Sequence, residues 1–568
     1  MNEMAIEHKC NSIYCYPVDK KTLNLRLRVS KDDEIDKIFV VYGGKYTFGK
    51  KQKEQEMSLT NITKLYNFYS ISLKVNDPRI CYVFKIIIGK KTYFYSEDGL
   101  SEKYDFLLNF YNAFSYAYIN EIDIHKNIEW MNKAVFYQIF VDRYKNGSIN
   151  KDKPYINLKE DEKPTPKSFA GGDLKGIISS LPYIKSLGVN AIYLTPIFKS
   201  ISNHKYDIES YYEIDPMFGD EYDLKELIDT AHLLGIRVVL DAVFNHISER
   251  HAIFQDVIRN QKKSKFYKWF IFYNEDKFEY ECFSSCKYMP KLNTNIEEVQ
   301  NYLIDVGKYY VEKFNIDGWR LDVSDEVSHY FWKRFNKEIK KLNSDVILIG
   351  ENRHDASDYL RGDEFDSIMN YAFLKAMLDY FKNPDFTSLD LANKLNELLM
   401  RNTDIVNKMM LNLLDSHDTL RFYTEVNTSK EKYKCAMAIL FVYLGAPCIY
   451  YGDEIYLEGG YDPDSRRVMK WGKIEDDSMR NLIRNLSAFR EKFYNGSIKI
   501  YSINDLFIIE RINDAYKYKL SVNHGERVKI DDKNIILSSL YEENYLNKDG
   551  FVISVERIIW RKMLLLFA

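Results

Sequence analysis

From Ala134 to Tyr451 one pattern recurs eight times: a short apolar run that fits a strand, followed in most cases by a longer segment with helical spacing. The strand candidates are 135–140, 191–194, 238–241, 318–323, 346–349, 365–370, 410–414 and 448–451. Helical patterns such as Leu224–Leu234, His329–Leu342, Leu389–Met400 and Lys432–Leu444 lie between them. Strands separated by helices are forced to run parallel, which defines the α/β class. Two architectures satisfy this: a closed (β/α)8 TIM barrel and an open, doubly wound sheet. The barrel is preferred, because reactive residues follow the carboxyl ends of many different strands, and a barrel gathers those ends on one face.

The fourth strand shows the logic. The segment Ile296–Phe314 carries Val299, Leu303, Val306, Tyr310 and Phe314 on one helical face, and Thr294 with Glu297 offers a capping box to start it. The period then changes. Trp319, Leu321 and Val323 alternate with Arg320 and Asp322, so the guanidinium and the carboxylate leave the same side of a strand. A cation beside a carboxylate favours its ionised form, as a nucleophile requires. Taken alone, the pair reads more simply as a structural ion pair. Three other strand ends change that balance: Asp241–His246 after the third strand, Gly350-Glu351 after the fifth and Asp415–Asp418 after the seventh. Polar residues on so many successive βα-loops are hard to explain as solvated surface.

The flanks differ from the centre. Residues 1–125 read as an N-terminal β-sandwich, with strict alternation in Leu23–Val29, further strands at Ile38–Tyr42 and Val83–Ile88, and turns at Gly43-Gly44 and Gly89-Lys90. Carbohydrate-binding modules look like this, and so do inert β-domains. Residues 126–495 form the barrel domain, closed by a helix at Met479–Phe493. Residues 496–568 become β-rich again (Leu506–Arg511, Tyr518–Val522, Val552–Trp560) and read as a C-terminal β-sandwich. A formal net charge of −3 gives no reason to expect nucleic acid or a membrane surface as a partner. No apolar run is long enough to span a bilayer. Met1–Asn11 is polar and does not resemble a signal peptide. Seven cysteines provide no paired framework. Cys282 and Cys286 are close enough for half a metal site, but without a second pair free thiols are the better reading. The expected location is the cytoplasm. The 46 tyrosines and 34 phenylalanines suit sugar binding, or reflect a compositional bias.

The strand-end motifs Asp241–His246, Gly318–Val323, Gly350-Glu351 and Leu414–Asp418 occur in the order seen in the α-amylase family of glycoside hydrolases, which Ala134–Trp471 resembles. Phe169–Leu174, Tyr193–Phe198, Asn203–Asp207 and Gly445–Glu454 are similar to further family segments. Met289–Asn293 and Gly459–Arg467 resemble the branch that contains neopullulanases, cyclomaltodextrinases and maltogenic amylases, which also carry an N-terminal β-domain. The resemblance implies an inserted lobe, 247–288, after the third strand, roofing the cleft. It implies Asp322 as nucleophile, Glu351 as general acid/base and Asp418 as transition-state stabiliser. It places Tyr206, His246, Arg320, His417, Asp464 and Arg467 at the substrate, with Tyr206 stacking under the sugar. Asp207 and Asp241 are read as structural partners of Arg320 or its neighbours.

Retaining hydrolysis needs one ionised and one protonated carboxyl group about 5–5.5 Å apart. Arg320 is expected to keep Asp322 charged, and the apolar strand before Glu351 to raise its pKa. No cofactor is required for the chemistry. A structural Ca²⁺ could be held by Asn146, Asp152 and Asp173, although Ser148 stands where an acid is expected.

The implied activity is retaining cleavage of α-1,4, and in some members α-1,6, bonds in short or cyclic maltooligosaccharides and pullulan by a homodimer. An α-glucosidase or glucan-transferring enzyme would share the same carboxylates. A noncatalytic carbohydrate-binding protein would be expected to have lost one of them. One departure stands out: relatives commonly place an aliphatic residue and then Trp after the acid, where this chain has Asn352-Arg353-His354.

Overall fold

The computed structural model describes residues 1–148, 153–472 and 476–558. Its centre is a closed barrel of eight parallel strands: β1 (Phe136–Ile139), β2 (Ala191–Leu194), β3 (Arg237–Ala242), β4 (Gly318–Leu321), β5 (Ile347–Gly350), β6 (Ser367–Asn370), β7 (Leu411–Leu413) and β8 (Ala446–Tyr450), with β8 pairing back on β1. Every strand candidate is present, and the doubly wound alternative is excluded. The strands are short and buried on both faces, as parallel strands between a filled interior and a ring of helices must be. The register sets Arg320 beside Asp241 on one neighbouring strand and Ile349 on the other. That pairing brings the third, fourth and fifth strand ends to one level.

The helix before β4 runs Glu297–Phe314 and buries the expected face, including Val299, Leu303, Val306, Tyr310 and Phe314. It has no capping box. Ile296 occupies the N-cap, and the Thr294 hydroxyl instead accepts the Ser328 N–H at 3.3 Å, tying the helix start to the loop after β4. Asn315 ends it in the left-handed conformation, φ 60°, where asparagine is among the residues best tolerated.

After β3 the chain leaves the barrel through the helix Ala252–Asn260 and the hairpin Phe272–Asn274/Glu279–Tyr280, packed around Phe254, Phe270 and Phe278. It returns through Met289–Asn293. There Ile247 N–H donates to the Pro290 carbonyl and Leu292 N–H to that of Asn245, at 3.1 and 2.9 Å, so the excursion is sewn to the β3 loop at its base.

The N-terminal domain packs two antiparallel sheets around Leu23, Leu25, Leu27, Val29, Ile38, Val40 and Phe84. The other face of Thr22–Ser30 is also covered. Arg26 is buried and donates to the Asn402 carbonyl at 2.6 Å and to the Asp404 carboxylate, and Asn61 donates to Asn396 at 2.9 Å. The alternation in Leu23–Val29 therefore separates a domain core from a docking face rather than a core from solvent. The C-terminal domain is a six-stranded sheet built on the long strand Tyr545–Arg557. Its Phe507, Ile509, Leu520 and Val522 join the main core of the barrel. The last residues of the expected strand Val552–Trp560 lie outside the described residues.

Candidate active site

The site begins with one buried guanidinium. Arg320 leaves β4 with Nη1 2.7 Å from Asp322 Oδ1 and 3.1 Å from Asp241 Oδ2. Its Nη2 lies 2.8 Å from Glu351 Oε2, off the line of a good hydrogen bond, and 4.0 Å from Asp418 Oδ2. Four carboxylates from the ends of β3, β4, β5 and β7 thus surround a single cation. Asp207 is not among them and is held by the hydroxyls of Ser200 and Ser202.

This crowding revises the expectation that Arg320 simply holds Asp322 ionised. Burial pushes the Asp322 carboxyl up, and Arg320 opposes that push while Glu351 and Asp241 add to it. Burial likewise raises Asp241 to about 6, again against Arg320. One positive charge is divided among these acids in a low-dielectric site, so their ionisations are coupled to one another. Asp322 receives the short, aligned bond from Arg320. Glu351 instead accepts the Val323 N–H at 3.1 Å, and its backbone carbonyl takes the Ser324 hydroxyl at 2.7 Å. Val323 holds φ 45° to aim that N–H, a conformation a β-branched residue adopts only when its surroundings compel it.

Asp322, Glu351 and Asp418 open into a cleft of about 440 Å³. Tyr206 and His246 line it. Tyr206 lies parallel to His417, ring centroids 5.5 Å apart, and its hydroxyl meets Asp241 Oδ2 at 3.0 Å and His417 Nε2 at 2.6 Å. His246 stacks on Phe283 at 4.8 Å, and burial pushes its pKa down to about 3, so the ring is neutral. Its Nε2 is buried without a protein partner, leaving a hydrogen-bonding atom for a sugar hydroxyl. His417 is placed differently from expectation. It is fully buried behind Tyr206, with Nδ1 2.7 Å from the Gln138 amide and Nε2 3.3 Å from Asp418, so it orients those groups rather than lining the cleft.

Asp464 and Arg467 form a two-pronged ion pair with each other, both contacts 2.8 Å, outside the cleft lining. Their neighbours Asp462 and Arg466 line it instead. Arg466 bonds Asp418 Oδ1 at 3.2 Å and the His417 carbonyl at 2.9 Å, and pairs with Asp462 at 3.0 Å. The four-residue spacing of Asp462 and Arg466 was the available signal. Sequence reasoning also missed Phe283, Cys286 and Tyr288, by which the inserted lobe walls the cleft. Arg353 reaches the same cleft, its guanidinium 5.2 Å from the centre of the Tyr371 ring.

The described part of the expected calcium set does not fit a divalent cation. Asp173 caps the helix Leu174–Ser186 through Gly176 N–H at 2.8 Å, accepts Gly147 N–H at 2.9 Å and the Ser148 hydroxyl, and has the Lys153 ammonium at 3.4 Å. Asn146 accepts Ser148 N–H at 3.0 Å. Asp152 lies outside the described residues. No cluster of three or more His, Cys, Asp or Glu side chains suited to a metal occurs among the described residues.

A closed parallel barrel that presents carboxylates from successive strand ends around one arginine, in an open cleft, is the architecture of a glycoside hydrolase. Residues 138–492 match the model of the alpha amylase catalytic domain, and residues 1–120 that of the alpha amylase N-terminal ig-like domain. The chain is 41% identical over 542 residues to the cyclomaltodextrinase of Thermoanaerobacter pseudethanolicus, covering 93% of this chain and 94% of that one. It is 38% identical to neopullulanase 2 of Thermoactinomyces vulgaris, covering 83% and 81%. A solved cyclomaltodextrinase superposes with a TM-score of 0.89 at 32% identity, covering 98% of each chain. The chain belongs to the α-amylase family of glycoside hydrolases, in the branch of the cyclomaltodextrinases, maltogenic amylases and neopullulanases.

Proposed function

We propose that the protein hydrolyses α-1,4-glucosidic bonds, and α-1,6 bonds at branch points, in cyclic and short maltooligosaccharides and pullulan, with retention of configuration. The observation that carries the mechanism is the single guanidinium bridging Asp322 and Glu351. Asp322 and Glu351 thereby face one cleft from adjacent strand ends, as a nucleophile and an acid/base acting on the same glycosidic bond must. Asp322 attacks the anomeric carbon while Glu351 gives its proton to the departing glycosidic oxygen. Glu351 then takes a proton from water as that water cleaves the ester to Asp322. Asp418, anchored by Arg466, and the neutral His246 hold hydroxyls of the same sugar, and Tyr206 supplies a flat surface beside it.

Substrate class follows from the relatives and from the lobe at the cleft wall. Time-resolved products from β-cyclodextrin, maltotriose, pullulan and soluble starch test it. Rapid opening of the ring and accumulation of maltose support the reading. Starch turned over faster than cyclodextrin assigns the chain to ordinary amylases, and glucose released from the first turnover onward assigns it to α-glucosidases.

Arg353 replaces the aromatic platform common in relatives with a cation already engaged with Tyr371. A sugar acceptor gains less from stacking there, so water competes better for the glycosyl-enzyme. Arg353→Trp is expected to raise the transfer-to-hydrolysis ratio about threefold to tenfold at high maltose. An unchanged ratio assigns acceptor binding elsewhere.

Calcium is not needed for this architecture, since Lys153 already supplies the positive charge beside Asp173. Dialysis against EDTA is expected to leave Tm within about 1 °C, because a cation bound to the folded state would otherwise contribute binding free energy to stability. A fall of several degrees, reversed by Ca²⁺, would place a site at the 146–173 loop.

The working form is a homodimer. The segment around Leu107, Phe110 and Tyr111 leaves those side chains 73%, 61% and 84% exposed on the N-terminal domain, an apolar patch suited to a second copy. Phe110→Asp combined with Tyr111→Asp is expected to halve the mass seen by light scattering and to shrink the preference for cyclodextrin over starch. A wild-type monomer would remove this part of the reading. The setting is the cytoplasm: every cysteine is free, and among the described residues no helix is long and apolar enough to cross a membrane.

A further inference from the structure

Asp241 is buried and does not line the cleft, yet it takes a hydrogen bond from the same nitrogen that holds Asp322. Arg320 Nη1 carries two hydrogens. One is directed at Asp322 Oδ1, 2.7 Å away, and the other at the two oxygens of Asp241, 3.1 and 3.3 Å away. Any change in how strongly Asp241 draws on that nitrogen is therefore felt at Asp322. Tyr193, the third residue of β2, bears on this draw directly. Its side chain is buried, with the ring centre 6.0 Å from the Arg320 guanidinium carbon and the hydroxyl 2.5 Å from Asp241 Oδ2. An ionised carboxylate only accepts, so Tyr193 donates. Tyr206 reaches the same oxygen at 3.0 Å, but its hydroxyl also meets His417 Nε2, at 2.6 Å.

We propose that Tyr193 is a positioning residue for the nucleophile: its hydroxyl keeps Asp241 as a charged partner of Arg320, so the guanidinium stays divided between Asp241 and Asp322, and the Asp322 carboxylate stays reactive toward the anomeric carbon. The proposal rests on Asp322 as nucleophile. A carboxylate that held Arg320 alone would ionise more easily but would give its electron pair to carbon less readily. Tyr193 lies outside the cleft lining, so it acts on the sugar only through Asp241 and Arg320.

The groups around Asp241 fix the sign of the effect. Facing it are Tyr193 from β2, Tyr206 from the loop after β2, Arg320 and Asp322 from the end of β4, and Glu351 from the end of β5. His417, from the loop after β7, is joined to it through the Tyr206 hydroxyl. Burial and the carboxylates of Glu351 and Asp322 oppose the ionised form of Asp241, while Arg320 and the two hydroxyls favour it. Removing the Tyr193 hydroxyl therefore moves ionisation of Asp241 to higher pH. In the working range Asp241 then carries less negative charge, Arg320 turns toward Asp322, and the repulsion on Asp322 falls. Asp322 ionises at lower pH and attacks more slowly.

The test follows kcat/KM for maltotriose against pH in the full-length protein. Tyr193→Phe keeps the ring beside Arg320. It is expected to move the acid limb, which reports ionisation of the nucleophile, down by about 0.5–1 unit. The plateau kcat is expected to fall about tenfold, with KM within about twofold of wild type. A merely structural role would lower the rate alike at every pH. Asp241→Asn is expected to move the limb in the same direction, and Tyr193→Phe added to it is expected to move it no further. Tyr193→3-fluorotyrosine, a stronger donor of nearly the same size, is expected to move the limb up. A limb left in place by both Tyr193 variants overturns the proposal, as does a double variant whose shift is the sum of the two single ones. Trapping with 5-fluoro-α-glucosyl fluoride separates this failure from that of the nucleophile. A label on Asp322 with an unmoved limb rejects Tyr193 alone, whereas a label elsewhere rejects Asp322 and the proposal with it.

Discussion

Asp322→Asn is expected to lower kcat on maltotriose and cyclodextrin about 10⁴-fold or more while the protein stays folded. The amide keeps the size and can still accept the Arg320 N–H that now spans 2.7 Å, but it cannot form the ester to the sugar. Stability should rise, and the sign follows from the acid cluster. Burial and the neighbouring carboxylates push the Asp322 carboxyl above its ordinary range, so its ionised form is less favourable in the folded protein than in the unfolded chain. Such a group costs stability as pH climbs above the unfolded carboxyl pKa, and a neutral amide removes that cost. At neutral pH the variant should therefore melt at or above the wild-type Tm while being nearly inactive, a common signature of residues kept for chemistry. A variant with activity within tenfold of wild type would end the assignment of Asp322 as nucleophile.

Glu351→Ala is expected to have the second largest effect, and one that depends on the leaving group. On maltotriose both steps need the acid/base, so kcat should fall about 10²–10⁴-fold. An α-maltosyl fluoride needs little help in departing, so its first step should be far less affected and the glycosyl-enzyme should accumulate. Azide, which attacks without a general base, should then restore turnover and yield the α-glycosyl azide. The cavity left by the missing carboxylate lies against Val323 N–H and Arg320 Nη2, a polar pocket able to admit the anion. Equal losses on both substrates, with no rescue by azide, would mean that Glu351 positions the sugar and does not carry the proton.

Much of this arrangement was legible in the chain because parallel strands are apolar throughout and end abruptly in polar residues. β4 shows it: Trp319 packs outward on the preceding helix, against Gly307 and Tyr310, while Arg320 and Asp322 leave the opposite side at the barrel mouth. What was not legible depended on contacts between distant segments. The Thr294 hydroxyl was free to cap a helix as far as the sequence showed, but Ser328 N–H claims it. The sequence points to Asp464 and Arg467, whereas Asp462 and Arg466 line the cleft, because a short turn at Asp464–Arg466 decides which side chains face it and adjacent residues there diverge. His417 looked like a sugar ligand from its place in the motif, yet Tyr206, 211 residues away, covers it. Lys153 became a counter-charge to Asp173 only when the first barrel loop closed on it. The crowding of acids around Arg320 was hidden for a related reason. One arginine two residues from Asp322 is visible in the sequence, whereas its division among Asp241, Asp322 and Glu351 is a property of the closed barrel.

The central claim is that Asp322 becomes covalently bonded to sugar while Glu351 handles the proton. Peptide mapping of a trapped intermediate tests this most directly. Glu351→Gln, which keeps an acceptor for Val323 N–H, is mixed with 5-fluoro-α-glucosyl fluoride, quenched in acid and digested with pepsin. The peptide spanning Gly318–Val323 is expected to gain the mass of one fluoroglucosyl group, with fragmentation placing it on Asp322. The same label on Asp418 or Asp241, or a β-configured first product with no label on any carboxylate, would contradict the account.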